Sequence, residues 1–225
     1  MGLKIKNKGK KEGELYLFDE IGGDMFGGVS LGDVAAGLNQ LKGEGVTDIT
    51  LRINSPGGDM FEGIAIYNML RKSKLKITTS IEGLAASAAS IIALAGDVVT
   101  MSDSAFFMIH NSHTVAAGDT RSFKEVSDQL AEFDEQLARI YLNKIGGEVS
   151  VIKAAMDAET WYNATDAQAA GFIDQVNEAL PVAAYCDKKK FKHAPAALTP
   201  IIRNDQERAK AIAKRAKAAI LRLSN

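Results

Sequence analysis

Between Glu14 and His110 the hydrophobic pattern of the chain switches period again and again, and no other feature narrows its fold so far. "ELYLFDEI" alternates as a strand and "TDITLRINS" reads as a buried one. Between them, "SLGDVAAGLNQLKGEG" sets Val34, Leu38 and Leu41 at helical spacing, with Ser30 as N-cap and Gly43 at the end. "DMFEGIAIYNMLRKSK" places Met60, Ile64, Tyr67 and Leu70 on one helical face and leads into the strand "LKITTSIEG". The small-residue run "IEGLAASAASIIALAG" reads as a further helix, and "DVVTMS" and "FFMIH" as two more strands. Strand and helix alternating over such short connections predict an α/β fold with a mostly parallel, helix-covered sheet. Ligand sites in such folds lie at the carboxyl ends of the strands.

At 225 residues and 46% hydrophobic, the chain supports one well-buried domain plus an appendage. Downstream, "DTRSFKEVSDQLAEFDEQLARIYLNKIGG" carries Phe123, Val126, Leu130, Phe133, Leu137 and Ile140 at helical spacing, a helix of about six turns. A shorter helix "VSVIKAAM" follows, then "ETWYNATDAQAAGFID", where Thr165 caps a short helix that stops at Gly171 before the strand "FID". The polar opening, residues 1–13, is expected as a flexible arm or an early edge strand. Charge divides the chain near residue 186: beyond it lie eleven Lys and Arg against three Asp and Glu. We therefore expect a main domain over 14–186, then a basic segment over 187–225 with a linker "APAALTP" and a final helix. "KKKFK" and residues 203–223 lack the aromatic interleaving of a base-stacking surface, so a solvated or partner-docking helix is expected and nucleic acid is not. No window has the length of a signal segment or a membrane span, and the single Cys186 suits a reducing compartment, so a cytoplasmic protein is expected.

The run at 81–96 carries two serines, Ser87 and Ser90, in a setting where an unpartnered hydroxyl costs about 1 kcal/mol or more. Tight packing with each hydroxyl bonded to the preceding turn explains either one. Ser87 has a second reading, a nucleophile where a helix begins. A serine nucleophile needs a base, a group that orients the base and donors for an oxyanion. Of the three histidines, His193 lies in the basic tail, His113 in a polar loop, and His110 directly after the apolar "FFMI", at a strand's carboxyl end. "SPGG" precedes a helix, and its two glycines open the backbone to close approach by a ligand. Together these features make acyl transfer the leading chemistry, without a cofactor or a metal.

In order along the chain, "INSPGG", "EGIAIYN", "GLAASAAS", "MIHN", "ETW" and "AGFID" resemble the proteolytic subunit of the Clp protease family, most closely its bacteriophage head-maturation relatives. The resemblance spans roughly Glu14 to Asp174. It implies a fold of the Clp-protease and crotonase type with a protruding helical handle, and a serine endopeptidase in which Ser87 is nucleophile and His110 general base. It further implies oxyanion donation by the backbone N–H groups of Gly58 and Ala88. The family's usual acid is Asp; ungapped counting puts Glu159 there, and Asp157 is two residues earlier. Implied partners are polypeptide substrate, copies of the same chain in stacked rings, and either an unfoldase ATPase or phage scaffold and capsid proteins. Three other readings remain at this point: a Ser-Lys dyad using Lys124 or Lys144, a crotonase-like acyl-CoA enzyme, and an inactive scaffold subunit.

Overall fold

The computed structural model describes residues 3–22, 28–178, 191–195 and 198. The first described element is a hairpin of β1 (Lys4–Gly9) and β2 (Glu12–Leu17), so the stretch expected as an arm or an early edge strand contains an edge strand. Then come α1 (Leu31–Gly43), β3 (Asp48–Ser55), α2 (Met60–Lys72), β4 (Lys76–Ala86) and α3 (Ala88–Ala93). After them lie β5 (Val98–Ser102), β6 (Phe106–Ile109), α4 (Thr120–Ile145), α5 (Val149–Asp157), β7 (Thr160–Asn163), α6 (Ala164–Ala169) and β8 (Gln175–Asn177). The strands form one sheet in the order β1-β2-β3-β4-β5-β8, with β6 branching from β4 and β7 from β6. β1 and β7 are the antiparallel members; the other pairings are parallel, as the alternation predicts.

Local chemistry sets the helix boundaries. Ser30 and Asp33 form a capping box at α1, and Asp59 caps α2 through the Glu62 amide. At α6 the cap is Asn163, which accepts from the Asp166 amide; Thr165 lies inside the helix, contrary to expectation. The buried face of α2 is Gly63, Ile66 and Leu70, so Ile64 and Tyr67 sit at its margin. Where a strand "FID" was expected, β8 starts three residues later, at Gln175, just past Asp174. The expected final helix and Cys186 lie outside the described residues.

Leu51, Ile53, Ile81, Ile92 and Val99 are fully buried in the core, each contributing about 1.5–3 kcal/mol through burial. Across the middle of the sheet, Arg52 of β3 pairs with Glu14 of β2 and Glu82 of β4, both nearly inaccessible, and so ties three strands together. By contrast, α4 buries only Leu137, Ala138 and Tyr141 among its 26 residues. Its first half therefore stands off the body as the expected handle.

The β4 strand has two neighbours on one side. Thr78 to Ile81 pair with β5, and Leu84 to Ala86 pair with β6. This fork places the end of β6 beside the end of β4.

Candidate active site

The segment Leu84-Ala85-Ala86, expected in a small-residue helix or in the loop leading into it, continues β4, because its partners on β6 complete the ladder. The Ser87 amide extends that ladder, donating to the Met108 carbonyl at 3.1 Å. The chain then turns sharply at Ser87, with φ 55 and ψ −126, and α3 begins at the next residue. A positive φ at a serine is strained by about 1–3 kcal/mol and persists only where the surroundings fix it. Here β4 on one side and α3 on the other hold it. Ser90 is fully buried; its Oγ donates to the Ser87 carbonyl at 2.6 Å and lies 2.8 Å from the Tyr141 hydroxyl of α4. That is a packing and anchoring role, as its position predicts.

The parallel register pairs Ala86 with Met108, so Ser87 and His110 both emerge just past the ends of adjacent strands. His110 Nε2 lies 2.8 Å from Ser87 Oγ. The loop behind the imidazole is pinned on two sides. Asn111 Nδ2 donates to Asp157 Oδ1 at 2.7 Å, and Ser112 donates to Asp134 Oδ1 from its amide and its hydroxyl, at 2.6 and 2.7 Å. Sequence patterning missed both anchors; the signal available was only a polar run after an apolar strand. Burial holds the His110 imidazole down to about 4, the adjacent His113 pushes the same way, and the carboxylates of Glu159 and Asp134 oppose them. The base is therefore neutral around pH 7.

β7 pairs antiparallel with β6, with Thr160 opposite Ile109, so one step further along both chains Glu159 faces His110. Glu159 is 8% exposed and, like Ser87, has a positive φ, 48. Burial raises its pKa, but the amides of His193 and Lys192, the Trp161 indole and, when the ring is protonated, the charge of His110 outweigh this and hold it below the ordinary value. The donors are close: His193 N at 2.7 Å and Trp161 Nε1 at 3.2 Å from Oε1, and Lys192 N at 3.0 Å from Oε2. Among the described residues no hydrogen bond joins Glu159 to His110. Asp157, the other expected carboxylate, is exposed and engaged by Asn111.

The "SPGG" turn lies against the serine. Ile21 donates to the Gly57 carbonyl and accepts from the Asp59 amide, both at 2.8 Å, which leaves the Gly58 N–H outside that ladder. The Ala88 N–H, at the first position of α3, has no intrahelical acceptor. The approach is very close, since a Cβ on Gly57 would lie 2.8 Å from the Ser87 Cβ and 3.0 Å from the Ala88 nitrogen. These elements open onto a cleft of about 720 Å³ whose walls include Met60 and Phe61 of α2 and Val126, Leu130 and Phe133 of α4. Lys124 pairs with Asp128 and Lys144 with Asp174, so both lysines of the dyad reading are engaged elsewhere. Among the described residues no group of His, Cys, Asp and Glu is arranged to hold a metal, and no helix is long and apolar enough to cross a membrane.

Comparison with known proteins adds three findings. The family described as "Clp protease" matches residues 28–179. Among curated relatives, the chloroplastic ATP-dependent Clp protease proteolytic subunit 1 of Arabidopsis thaliana is 35% identical over 133 residues, 57% of this chain and 67% of that one. The ATP-dependent Clp protease proteolytic subunit of Lobularia maritima is 33% identical over 132 residues, with the same coverage of both chains. Among solved structures, a point mutant of ClpP1 from Listeria monocytogenes superposes with a TM-score of 0.63 at 23% identity, covering 73% of this chain and 91% of that one.

Proposed function

The chain belongs to the Clp protease family, and from that premise we propose that it cleaves peptide bonds through an acyl-enzyme formed on Ser87, within an oligomeric compartment. The observation that carries this reading is the 2.8 Å contact between Ser87 Oγ and a neutral His110 at adjacent strand ends. In the first step His110 Nε2 takes the Ser87 proton as Oγ attacks the scissile carbonyl. The Gly58 and Ala88 amides receive the resulting oxyanion. The imidazolium returns its proton to the leaving amine, and water, activated by the same ring, releases the acyl group. Glu159 is the carboxylate assigned to steady the imidazolium. A crotonase-type reaction would make no use of the paired serine and histidine.

Fluorophosphonate labelling with peptide mapping tests the assignment, and adduct on any residue other than Ser87 would refute it. Its pH dependence follows from His110, faced by His113 on its own loop, by Glu159 before β7 and by Asp134 of α4. Only the unprotonated ring accepts the serine proton, so labelling should be flat through neutrality and fall as pH drops through about 4. A midpoint near the ordinary histidine value would mean that the ring is solvated in the working enzyme.

The compartment reading adds stacked homo-oligomeric rings with α4 at the contact. Its support is the uncovered first half of that helix, where Phe123 is 52% exposed. Light scattering should report a mass many times the 24.1 kDa chain, and Phe123→Glu should reduce it. The finer substrate assignment, scaffold or capsid polypeptide of a phage head in the cytoplasm of its host, rests on the motif resemblance. Co-expression with such a polypeptide and mapping of its cut ends by mass spectrometry would test it.

A further inference from the structure

The part of the basic segment that the structure describes does not stand away from the body. It lies on the catalytic site. Phe191 packs edge-on against Trp161 of β7, ring centroids 5.4 Å apart, and its centroid is 6.0 Å from that of His110. Just beyond it, the Lys192 and His193 amides donate to opposite oxygens of Glu159. Leu198, 2% exposed, is buried with Leu84, Ala86 and Met108, the strand residues that lead into Ser87 and His110. The Leu198 amide also donates to the Pro195 carbonyl at 3.1 Å.

We infer that the face of β4, β6 and β7 beside the catalytic pair is a docking site for a peptide segment, and that the chain's own segment containing Phe191–Pro195 and Leu198 occupies it as a brake on Ser87. This rests on the serine peptidase reading above. The occupant is recognised by chemistry visible on that face: an aromatic ring for the Trp161 edge, an aliphatic side chain for the Leu84, Ala86 and Met108 cluster, and two successive backbone N–H groups for a carboxylate. Those amide donors are what make the contact inhibitory. Glu159 faces His110 across the β6–β7 register, yet its hydrogen bonds go to the segment and to Trp161. Once the segment leaves, Glu159 loses two of its three donors, and the Nδ1–H of the imidazole opposite is placed to replace one of them. Departure of Phe191 also uncovers one side of His110. Both changes favour the protonated ring that forms when Ser87 attacks, so release raises reactivity.

Two readouts on the full-length protein test this. The first is the rate of fluorophosphonate labelling of Ser87 in the wild type, in Phe191→Ala/Leu198→Ala, and in Lys192→Pro, which deletes one amide donor and leaves both apolar anchors. The doubly substituted protein should label about tenfold faster or more, and Lys192→Pro should fall between the two. The second is fluorescence anisotropy of a labelled peptide with the sequence FKHAPAAL, which should bind the doubly substituted protein and slow its labelling, and bind the occupied wild type far less. Equal or slower labelling in the variants, or a peptide that binds neither protein, overturns the inference. Failure of Ser87 to label in every form, with the peptide still binding the variant, is instead the signature that the peptidase reading itself is wrong, and the brake falls with it.

Discussion

Ser87→Ala is expected to lower kcat/KM for a fluorogenic peptide by about 10⁵–10⁶-fold, while the thermal midpoint stays within a few degrees of the wild type. The size follows from the site's construction. The only acceptor of the acyl group is removed, and nothing on the turn replaces it, since the Ser90 hydroxyl is fully buried between the Ser87 carbonyl and Tyr141. The fold is indifferent to the change because the Ser87 side chain makes no capping hydrogen bond to α3, and the strained φ of 55 is borne by alanine about as badly as by serine. His110→Ala should cost a comparable factor, and the double variant hardly more than either, because serine and imidazole act as one unit. Activity of Ser87→Ala within tenfold of the wild type, or a loss shared fully by Ser90→Ala at unchanged stability, would remove Ser87 from its role.

The second large effect is at the turn that supplies the oxyanion donor. Gly58 has φ +149, and a Cβ there would sit 1.9 Å from the Ile21 carbonyl oxygen and 2.8 Å from its carbon. Neither is the movable end of a side chain. Gly58→Ala must therefore push the turn away from Ile21, whose amide and carbonyl bind the residues on either side of Gly58. Displacing one oxyanion donor costs about 10²–10³ in kcat, with about 1–3 kcal/mol of stability lost to strain. The diagnostic is a fall in kcat with KM nearly unchanged, measured beside a denaturant titration. A Gly58→Ala protein of wild-type kcat would show that the Gly58 amide has no part in the reaction.

What could be read in advance depended on whether side-chain pattern or strand pairing decided the matter. The cap at Ser30 and the face of α1 follow from residues next to one another, and these were legible. The end of β4 was not. Leu84-Ala85-Ala86 suits a helix or a strand equally, and its pairing with Phe106 to Met108, some twenty residues away, settles the choice. β7 was missed for a related reason: "TWYN" is four residues long and abuts a helix cap, and only its ladder with β6 makes it a strand. Asn163 displaced Thr165 as the cap because both residue types are competent and the chain turns into the helix two residues earlier. Ser87 and His110 were named from local motifs, and the structure brings them within 2.8 Å. Glu159 was named by counting, and what it binds could not be foreseen, since backbone amides of Lys192 and His193 carry no signature in the sequence.

The fork in the sheet makes reactivity a matter of phase. Ser87 and His110 meet because Ala86 aligns with Met108, and Glu159 faces the imidazole because Thr160 aligns with Ile109. An insertion or deletion of one residue within β4, β6 or β7 would preserve hydropathy and most of the core, yet rotate one partner to the opposite side of its ribbon. Length variation can thus accumulate in the hairpin tip near Lys10, while the spacing inside these three short ladders is as fixed as the identity of the nucleophile.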